Sequence, residues 1–577
     1  MEKEETMRNR KYMKRTGAIV LTAVMLSSTG CGLVSKDAGM QEIINIISNG
    51  TASKTDPSAP AGKTGEVYVL EESMAEGYAD MSAPGFYMSS NMSAPDWNTE
   101  EYSYIRENGW MSASASPFST FAADVDTASY ANVRRMLLDD LDVPEDAVRI
   151  EELINYFHYS YEGPKEGEPF GVTTQIAPCP WDEETKLLLV GLATEKVNKE
   201  EMPPSNLVFL IDTSGSMDDP DKLPLVQQSF RLLAETLGEE DRISIVTYAG
   251  DDTVVLEGTH GDEQNEIIEA IEDLMAGGGT NGASGIETAY RLAEENFIEG
   301  GNNRVILATD GDFNIGISDE GSLTRLIEEK VRGGVFLSVL GFGWGNISDT
   351  NMEALADHGN GNYHYIDSKS EARKVLIEEA GGNLLTVAKD VKLQVEFNPA
   401  MVKGYRQIGY ENRQMAAEDF ADDTKDGGEI GAGHQVTVLY EIVPADSEKK
   451  IPQVSSRYQK TEEATEGTEE AGTAAEQAGE WLNVSIRYKE PTGDTSKLLE
   501  YPVGSENITE TMSDDLSWAA GVAQAGMILR NSEYVGTTQL SEVKSRMRKL
   551  ADADPEHEDQ RDEFVYLLGR IENAEEN

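Results

Sequence analysis

The strongest constraint on the fold is the alternation of short apolar segments with amphipathic ones between residues 203 and 380. Apolar runs such as Asn206–Ile211 and Arg304–Ala308 have the length and composition of strands that are buried on both faces. The segments between them, for example Lys222–Leu237, repeat apolar residues with helical spacing. This alternation predicts an α/β domain built on a doubly wound parallel sheet, with Thr253–Glu257 as a possible edge strand.

The chain on either side of this domain has a different pattern. Residues 96–202 predict a flanking domain with two helices and then the strand pair Gly171–Ala177 and Lys186–Ala193. Residues 381–577 predict β-strands followed by a helical C-terminal segment. Neither set of strands makes a two-sheet core alone, so we expect them to combine into one flanking β-sandwich with residues 203–380 inserted between them.

Residues 1–31 have the features of a bacterial lipoprotein signal peptide. Basic residues precede the apolar run Thr16–Leu26, which is shorter than the ~20 residues that span a bilayer. The run leads to a Thr-Gly-Cys sequence that resembles a lipobox, although Ser28 stands where leucine is most common. We therefore expect acylation of Cys31 and anchoring at the extracytoplasmic face of the cell membrane. The alternative is an ordinary secretory signal in which Cys31 has no role.

Two segments have a composition that is typical of disordered chain. Residues 32–95 are rich in Ser, Ala, Gly, Met and Pro and show no sustained hydrophobic period. They are expected to form a flexible tether between the lipid and the folded part. Residues 446–480 contain a Glu-, Ala-, Thr- and Gly-rich stretch and are predicted to be a disordered insert in the C-terminal flanking domain.

Composition excludes several classes of function. The formal net charge of −57 would repel phosphates, so no nucleic-acid partner is expected. The two cysteines, Cys31 and Cys179, cannot form a disulfide framework or a cysteine-based zinc ribbon. The six histidines lack metal-ligand spacing, and Gly277–Gly285 lacks the lysine of a phosphate loop. Because no nucleophile is paired with a base, the sequence predicts no enzyme activity.

The most informative motif is Asp212-Thr213-Ser214-Gly215-Ser216, which lies between a predicted strand and a helix. Ligands of doubly wound sheets bind outside the carboxyl ends of the strands. Asp310 follows another apolar strand, and Thr280 lies in a glycine-rich loop. Carboxylate and hydroxyl oxygens suit Mg²⁺, Mn²⁺ or Ca²⁺, and Mg²⁺ is the first choice here. The sequence therefore predicts a divalent-metal site on surface loops, with the ligands Asp212, Ser214, Ser216, Thr280 and Asp310.

The order of these elements resembles the metal-ion-dependent adhesion site of von Willebrand factor type A and integrin I domains. The resemblance implies that Ser214 and Ser216 bind the metal directly. It implies that the other three residues bind directly or through water, and that an aspartate or glutamate of a protein ligand completes the coordination. The alternative is a vestigial site whose residues only cap helices.

The resemblance extends from about Asn98 to the C-terminus. The stretches TFAADVDTASYANVRRML, LVFLIDTSGSM and LADHGNGNYHYID are similar to those of the YfbK-type bacterial lipoproteins. Those proteins have flanking domains before and after a type A domain. The resemblance implies the domain order but names no ligand.

Asp124 and Asp126 allow two interpretations. They could form a second cation site, or they could belong to a turn followed by a helix cap at Thr127 or Ser129. We favour the turn.

Three classes of function remain open after this reading. The first, which we favour, is a cell-envelope lipoprotein that binds a divalent metal and, through it, a protein ligand. The second is an envelope scaffold or assembly protein that needs no metal. The third is an enzyme or a cation-chelating accessory subunit.

Overall fold

The structure, a computed structural model, describes residues 99–576 apart from 124–125, 198–201, 280–281, 312–319, 453–478, 492, 494, 537 and 556. The predictions for the signal peptide, Cys31, the tether, Asp124 and Thr280 lie outside the described residues, as does most of the predicted insert 446–480.

The strands in the described ranges are Met111–Ser112 (β1), Phe118–Ala122 (β2), Gly171–Pro178 (β3), Lys186–Ala193 (β4), Ser205–Asp212 (β5), Arg242–Tyr248 (β6), Asp252–His260 (β7), Asn302–Thr309 (β8), Phe336–Phe342 (β9), Tyr363–Ile366 (β10), Thr386–Phe397 (β11), Val402–Ile408 (β12), Gln414–Met415 (β13), Gly428–Gly431 (β14), Gln435–Pro444 (β15), Glu480–Lys489 (β16) and Lys497–Gly504 (β17). The α-helices are Ala128–Leu138 (α1), Ile150–Asn155 (α2), Leu223–Ala234 (α3), Gln264–Glu272 (α4), Gly282–Glu295 (α5), Glu320–Arg332 (α6), Asp349–His358 (α7), Lys369–Arg373 (α8), Ala380–Leu384 (α9), Asp514–Leu529 (α10), Leu540–Ala553 (α11) and Glu558–Glu576 (α12).

The central domain is the predicted doubly wound α/β fold. Its sheet has the strand order β10-β9-β8-β5-β6-β7, and neighbouring strands from β10 to β6 are parallel. The edge strand β7 is antiparallel to β6, so the sheet is mixed and not wholly parallel as predicted. Only residues 249–251 separate β6 from β7. Such a short connection permits a hairpin but not the crossover that a parallel pair requires.

Burial on both faces of the sheet explains why residues 207–211 of the central strand β5 are all apolar. Leu207, Phe209 and Ile211 face a core formed with α3, α4 and the segment after α8. Val208 and Leu210 face the opposite core, formed with α5, α6 and α7. Since successive side chains of a strand point to opposite faces, both sets are buried, and residues 207–211 leave no position for a polar side chain.

The flanking regions form one β-sandwich. One sheet has the order β1-β12-β15-β4-β3, so β4, which precedes the α/β domain, pairs with β15, which follows it. The facing sheet has the order β13-β2-β11-β16-β17, with β14 also paired to β11, and the two sheets share one apolar core. The prediction that the two strand sets combine around an inserted α/β domain is therefore confirmed.

A helical core completes the fold. Helices α10, α11 and α12 pack with α1 and α2 around Trp518, whose ring lies 5.3 Å from Phe157 and 5.7 Å from Phe564. Residues from Leu516 to Met527 of α10 are buried, which makes this apolar helix part of the protein interior. Within the described ranges, no helix has both the length and the apolar composition needed to cross a bilayer.

Two predicted helices are shorter than expected. The stretch from Pro144 to Phe157 forms a 3₁₀ turn at Glu145–Ala147 and then α2, with extended backbone between them. The side chain of Ser129 bonds to the backbone of this break, because its hydroxyl donates to the Ala147 carbonyl and accepts the Arg149 N–H. The sequence from Lys369 to Ala380 has the spacing of one helix, but the structure divides this region into α8, a π-helical turn at Lys374–Glu378, and α9, which begins at Ala380.

Candidate metal centre

The carboxyl ends of β5 and β8 bring two aspartates together. The strands are adjacent and parallel, with Ile211 opposite Ala308, so Asp212 at the end of β5 and Asp310 just after β8 lie at the same edge of the sheet. Both side chains have no exposed surface. The two carboxylates thus lie at the same edge of the sheet, but they are buried and do not lie on surface loops as predicted, because apolar strands and helices surround the strand ends. Their role as metal ligands stays a prediction.

Asp212 is held by donors from three elements. Its Oδ1 accepts the N–H of Ser214 at 2.8 Å, and its Oδ2 accepts the hydroxyls of Tyr248 at 3.2 Å and Thr309 at 3.3 Å. Burial, together with the nearby charge of Asp310, raises the pKa of Asp212 to about 6, while the hydrogen bonds from Ser214 and Tyr248 oppose this rise. The carboxylate is thus fixed in orientation, and no cation of the described residues forms an ion pair with it.

The two serines of the motif lie side by side. The hydroxyl oxygens of Ser214 and Ser216 are 3.0 Å apart, and the Ser216 side chain is also hydrogen-bonded to Asp310. Ser214 is buried, whereas Ser216 is exposed at the start of a 3₁₀ turn. Asp212, Ser214, Ser216 and Asp310 therefore form one continuous group of oxygens that reaches from the sheet to solvent.

The glycine-rich loop before α5 is attached to this group. The N–H of Gly277 donates to the Thr213 carbonyl at 2.8 Å, and the N–H of Gly215 donates to the Gly278 carbonyl at 3.3 Å. Gly278 has a φ of +94°, a left-handed conformation that suits glycine. Since Thr280 lies outside the described residues, its role as a metal ligand stays a prediction.

Lys222 is a member of the site that the sequence analysis missed. Its Nζ lies 3.0 Å from Oδ2 of Asp310 and 3.0 Å from Oδ1 of Asn346. Burial alone would raise the pKa of Asp310, but the ammonium of Lys222 and the hydrogen bonds from Asn346 and Ser216 hold it below its ordinary value. Lys222 follows Asp212 by ten positions, and its contacts with Asp310 and Asn346 arise only from tertiary packing, so the sequence carries no direct signal for it.

The donor set fits a hard divalent cation. It offers two carboxylates and two hydroxyls in contact, all of them oxygen ligands of the kind that Mg²⁺ prefers. Among the residues that the structure describes, no group of three or more His, Cys, Asp or Glu side chains is arranged to hold a metal. Oxygen donors of this kind suit Mg²⁺, Mn²⁺ or Ca²⁺.

The other predicted sites have structural roles. Asp126 is buried and accepts the N–H of Tyr363 at 2.9 Å, which joins it to β10. Thr127 occupies the N-cap position of α1, one of the two predicted places, but its side chain makes no capping hydrogen bond. Instead, the carboxylate of Glu152 accepts the Ser129 N–H at 2.7 Å. Cys179 is a buried free thiol, and burial raises its pKa to about 12.

Comparison with known proteins decides the family. Residues 206–379 match the model of the von Willebrand factor type A domain, residues 382–574 match "Uncharacterized protein YfbK, C-terminal", and residues 96–189 match a model described as von Willebrand factor. The chain is 43% identical to the uncharacterized protein YfbK of Escherichia coli K12 over 477 residues, which is 82% of this chain and 80% of the relative. The chain belongs to the YfbK family of von Willebrand factor type A proteins.

More distant relatives share only part of the chain. The human inter-alpha-trypsin inhibitor heavy chain H4 is 28% identical over 194 residues, which is 32% of this chain and 21% of that protein. Among solved structures, a von Willebrand factor type A protein from Catenulispora acidiphila aligns with a TM-score of 0.38 and 16% identity, covering 69% of this chain and 89% of that one. The type A domain matched at residues 206–379 suggests a role in protein–protein interaction or adhesion.

Proposed function

We propose that this YfbK-family protein binds a divalent metal, Mg²⁺ first, at its type A domain and uses that metal to bind an acidic residue of a protein ligand. The observation that supports the proposal is the continuous group of oxygens formed by Asp212, Ser214, Ser216 and Asp310. Ser216 is exposed, so a carboxylate from outside can approach a metal held there. Neutral hydroxyl ligands leave much of the metal charge uncompensated, which favours an incoming carboxylate.

Location at the cell envelope is the second part of the proposal. The signal sequence predicts a diacylglyceryl thioether on Cys31 and a membrane-anchored protein on the extracytoplasmic side. Substitution Cys31→Ala should release the protein from membranes or block its processing, as read by fractionation and by mass spectrometry of the mature N-terminus. A mature wild-type N-terminus at another residue, without lipid, would refute the anchor.

A metal-independent scaffold is the second candidate, and the contact of Lys222 with Asp310 favours it. The buried ammonium already supplies a counter-charge to that carboxylate, so the domain can be stable without a metal. Under this alternative the partner would bind equally well with or without Mg²⁺.

Capture of partners in the presence and absence of a chelator distinguishes the two candidates. The full chain is immobilised, envelope extract is passed over it with Mg²⁺ or with EDTA, and bound proteins are quantified by mass spectrometry. We expect a set of proteins that is retained with Mg²⁺, released by EDTA, and missing from an Asp212→Asn column. Full retention in EDTA would refute metal-dependent binding and favour the scaffold.

A further inference from the structure

The position of Lys222 has a consequence for how the proposed metal is held. This side chain is 5% exposed, precedes α3 directly, and contacts both Asp310 and Asn346 at 3.0 Å. A lysine is almost never buried to this extent unless its charge is paired. The ammonium is therefore held in a fixed position beside the oxygen group and is not a mobile surface charge.

The loop after β9 holds the lysine in place. Gly343 has a φ of +73°, and a Cβ at this position would lie 2.3 Å from Cγ of Lys222, so the aliphatic chain passes directly beneath the glycine. The same loop is held from its other side by residues 99 and 100. Thr99 N–H donates to the Gly345 carbonyl at 2.7 Å, and Gly345 N–H donates to Oε1 of Glu100 at 3.0 Å. Asn346, the second partner of Lys222, lies in this braced loop.

The charge of Lys222 changes the net charge of the site when a divalent cation binds. Asp212 and Asp310 contribute two negative charges and Lys222 contributes one positive charge. A divalent cation would make a site with only the two aspartates neutral, but it makes this site positive by one unit. Because the groups are buried, that excess charge is weakly screened by solvent. One further carboxylate, brought by the protein ligand, restores neutrality.

We propose that Lys222 is a built-in counter-cation that makes metal binding weak in the absence of a partner and couples it to the arrival of an acidic ligand. The inference rests on the proposed function, because it concerns the same metal. Lys222 acts here as a positioning and charge-balancing residue and is not itself a ligand of the metal. Metal and ligand then bind cooperatively, and by linkage each raises the affinity for the other by the same factor.

Calorimetric titration of the full chain with Mg²⁺ alone tests this directly. Lys222→Gln removes the charge and keeps a hydrogen-bond donor for Asp310, and Lys222→Met removes both. We expect each variant to bind Mg²⁺ at least about tenfold more tightly than the wild type. Lys330→Met is the matched control, since Lys330 pairs with Glu294 on the helical surface and its loss should leave Mg²⁺ affinity unchanged.

A second titration, with acetate as a carboxylate probe, measures the coupling. Acetate should increase the Mg²⁺ affinity of the wild type more than that of Lys222→Gln, because only the wild-type site is left positive by the metal. Thermal unfolding in the same buffers checks that the variants are folded and should show a larger Mg²⁺-induced rise of Tm in Lys222→Met than in the wild type. A merely structural lysine would not produce these metal-dependent differences.

The outcomes separate the two proposals. Equal Mg²⁺ affinity of the wild type and Lys222→Gln would overturn the role of Lys222 and leave the metal site intact. Absence of Mg²⁺ binding in the wild type and in both neutral variants would overturn the metal site and the role of Lys222 together. Tighter Mg²⁺ binding by the neutral variants, with weaker acetate coupling, supports both.

Discussion

Two regions of the molecule bury several charges, and they differ in the balance of hydrogen-bond donors and acceptors. At the junction between the flanking helices and the α/β domain, the guanidinium of Arg149 lies 3.1 Å from Glu152, 2.5 Å from Asp349 and 2.8 Å from Glu353. A guanidinium carries five N–H donors and accepts none. The junction therefore matches acceptors with donors, and it joins elements far apart in the sequence.

The candidate metal centre has the opposite balance, with more hydrogen-bond acceptors than donors. Asp212 and Asp310 are buried beside the hydroxyls of Ser214 and Ser216, each of which carries one donor hydrogen but two acceptor lone pairs. Lys222 is the cation that contacts Asp310. The difference shows that buried charge alone does not identify a functional site. At the candidate site, oxygen acceptors outnumber donors and the group reaches solvent at Ser216, which is the arrangement that a cation requires under our proposal.

The largest expected effect is a loss of stability when the ion pairs of the junction around Arg149 are removed. Arg149→Met leaves three buried carboxylates without their common partner, so the free energy of unfolding should fall by about 3–5 kcal/mol. Urea denaturation followed by circular dichroism measures this change. The control is Arg231→Met, where the lost ion pairs are on the surface and little change is expected. If the two variants had equal free energies of unfolding, the ion pairs of Arg149 would not stabilise the fold as we describe.

The next effect is on metal binding, and it should leave stability intact. Asp212→Asn keeps the shape of the buried side chain and removes its charge, so Mg²⁺ affinity should fall by about a hundredfold or more while the fold is retained. Calorimetry and thermal unfolding measure the two properties. Asp241→Asn is the matched control, because Asp241 accepts the N–H of Ser205 at the opposite end of β5. Unchanged Mg²⁺ affinity in Asp212→Asn would contradict our assignment of the centre.

The neutral ligands should contribute less than the carboxylate. Ser214→Ala and Ser216→Ala each remove one hydroxyl oxygen and no charge, so each should weaken Mg²⁺ binding by about tenfold. Thr280→Ala, the variant of the third predicted hydroxyl ligand, should behave in the same way. Titration of the three variants under identical conditions gives the ranking. A serine variant that loses as much affinity as Asp212→Asn would show that charge does not dominate the site.

The smallest expected effect concerns Cys179, a buried thiol that belongs to the helical core. Because burial raises its pKa to about 12, it should not react with a thiol reagent at neutral pH in the folded Cys31→Ser chain. Arg149→Met should increase its labelling rate, because a less stable fold opens more often and exposes the thiol, whereas Asp212→Asn should not. Equal labelling of both variants would contradict the separation of structural and binding roles.

The sequence was sufficient to predict where a residue lies when the local hydrophobic pattern and the direction of the strands determine its position. The alternation of buried positions in β5 predicts the two-sided core, and the parallel neighbours β5 and β8 predict the meeting of Asp212 and Asp310. Lys222, Tyr248 and Asn346 were missed because they reach the site from a turn, a neighbouring strand and a loop. Such contacts depend on tertiary packing and leave no periodicity in the sequence.

The same reason explains the missed details of the flanks. The sequence could not predict that Glu152 caps α1. Glu152 and its partner Ser129 are 23 positions apart and meet only after α1 packs on α2. The break before α2 has a similar cause, since the side chain of Ser129 bonds to the backbone of residues 147 and 149. By contrast, the joining of strands before and after the α/β domain was predictable, because neither strand set could bury its apolar face alone.

A crystal structure of the protein grown with Mn²⁺, with anomalous data collected at the manganese edge, tests the central claim most directly. We predict one anomalous peak at the carboxyl edge of the central sheet, coordinated by the hydroxyl oxygens of Ser214 and Ser216 and near the carboxylates of Asp212 and Asp310. A map without a peak at this edge at saturating Mn²⁺, with Lys222 still bound to Asp310, would contradict the account.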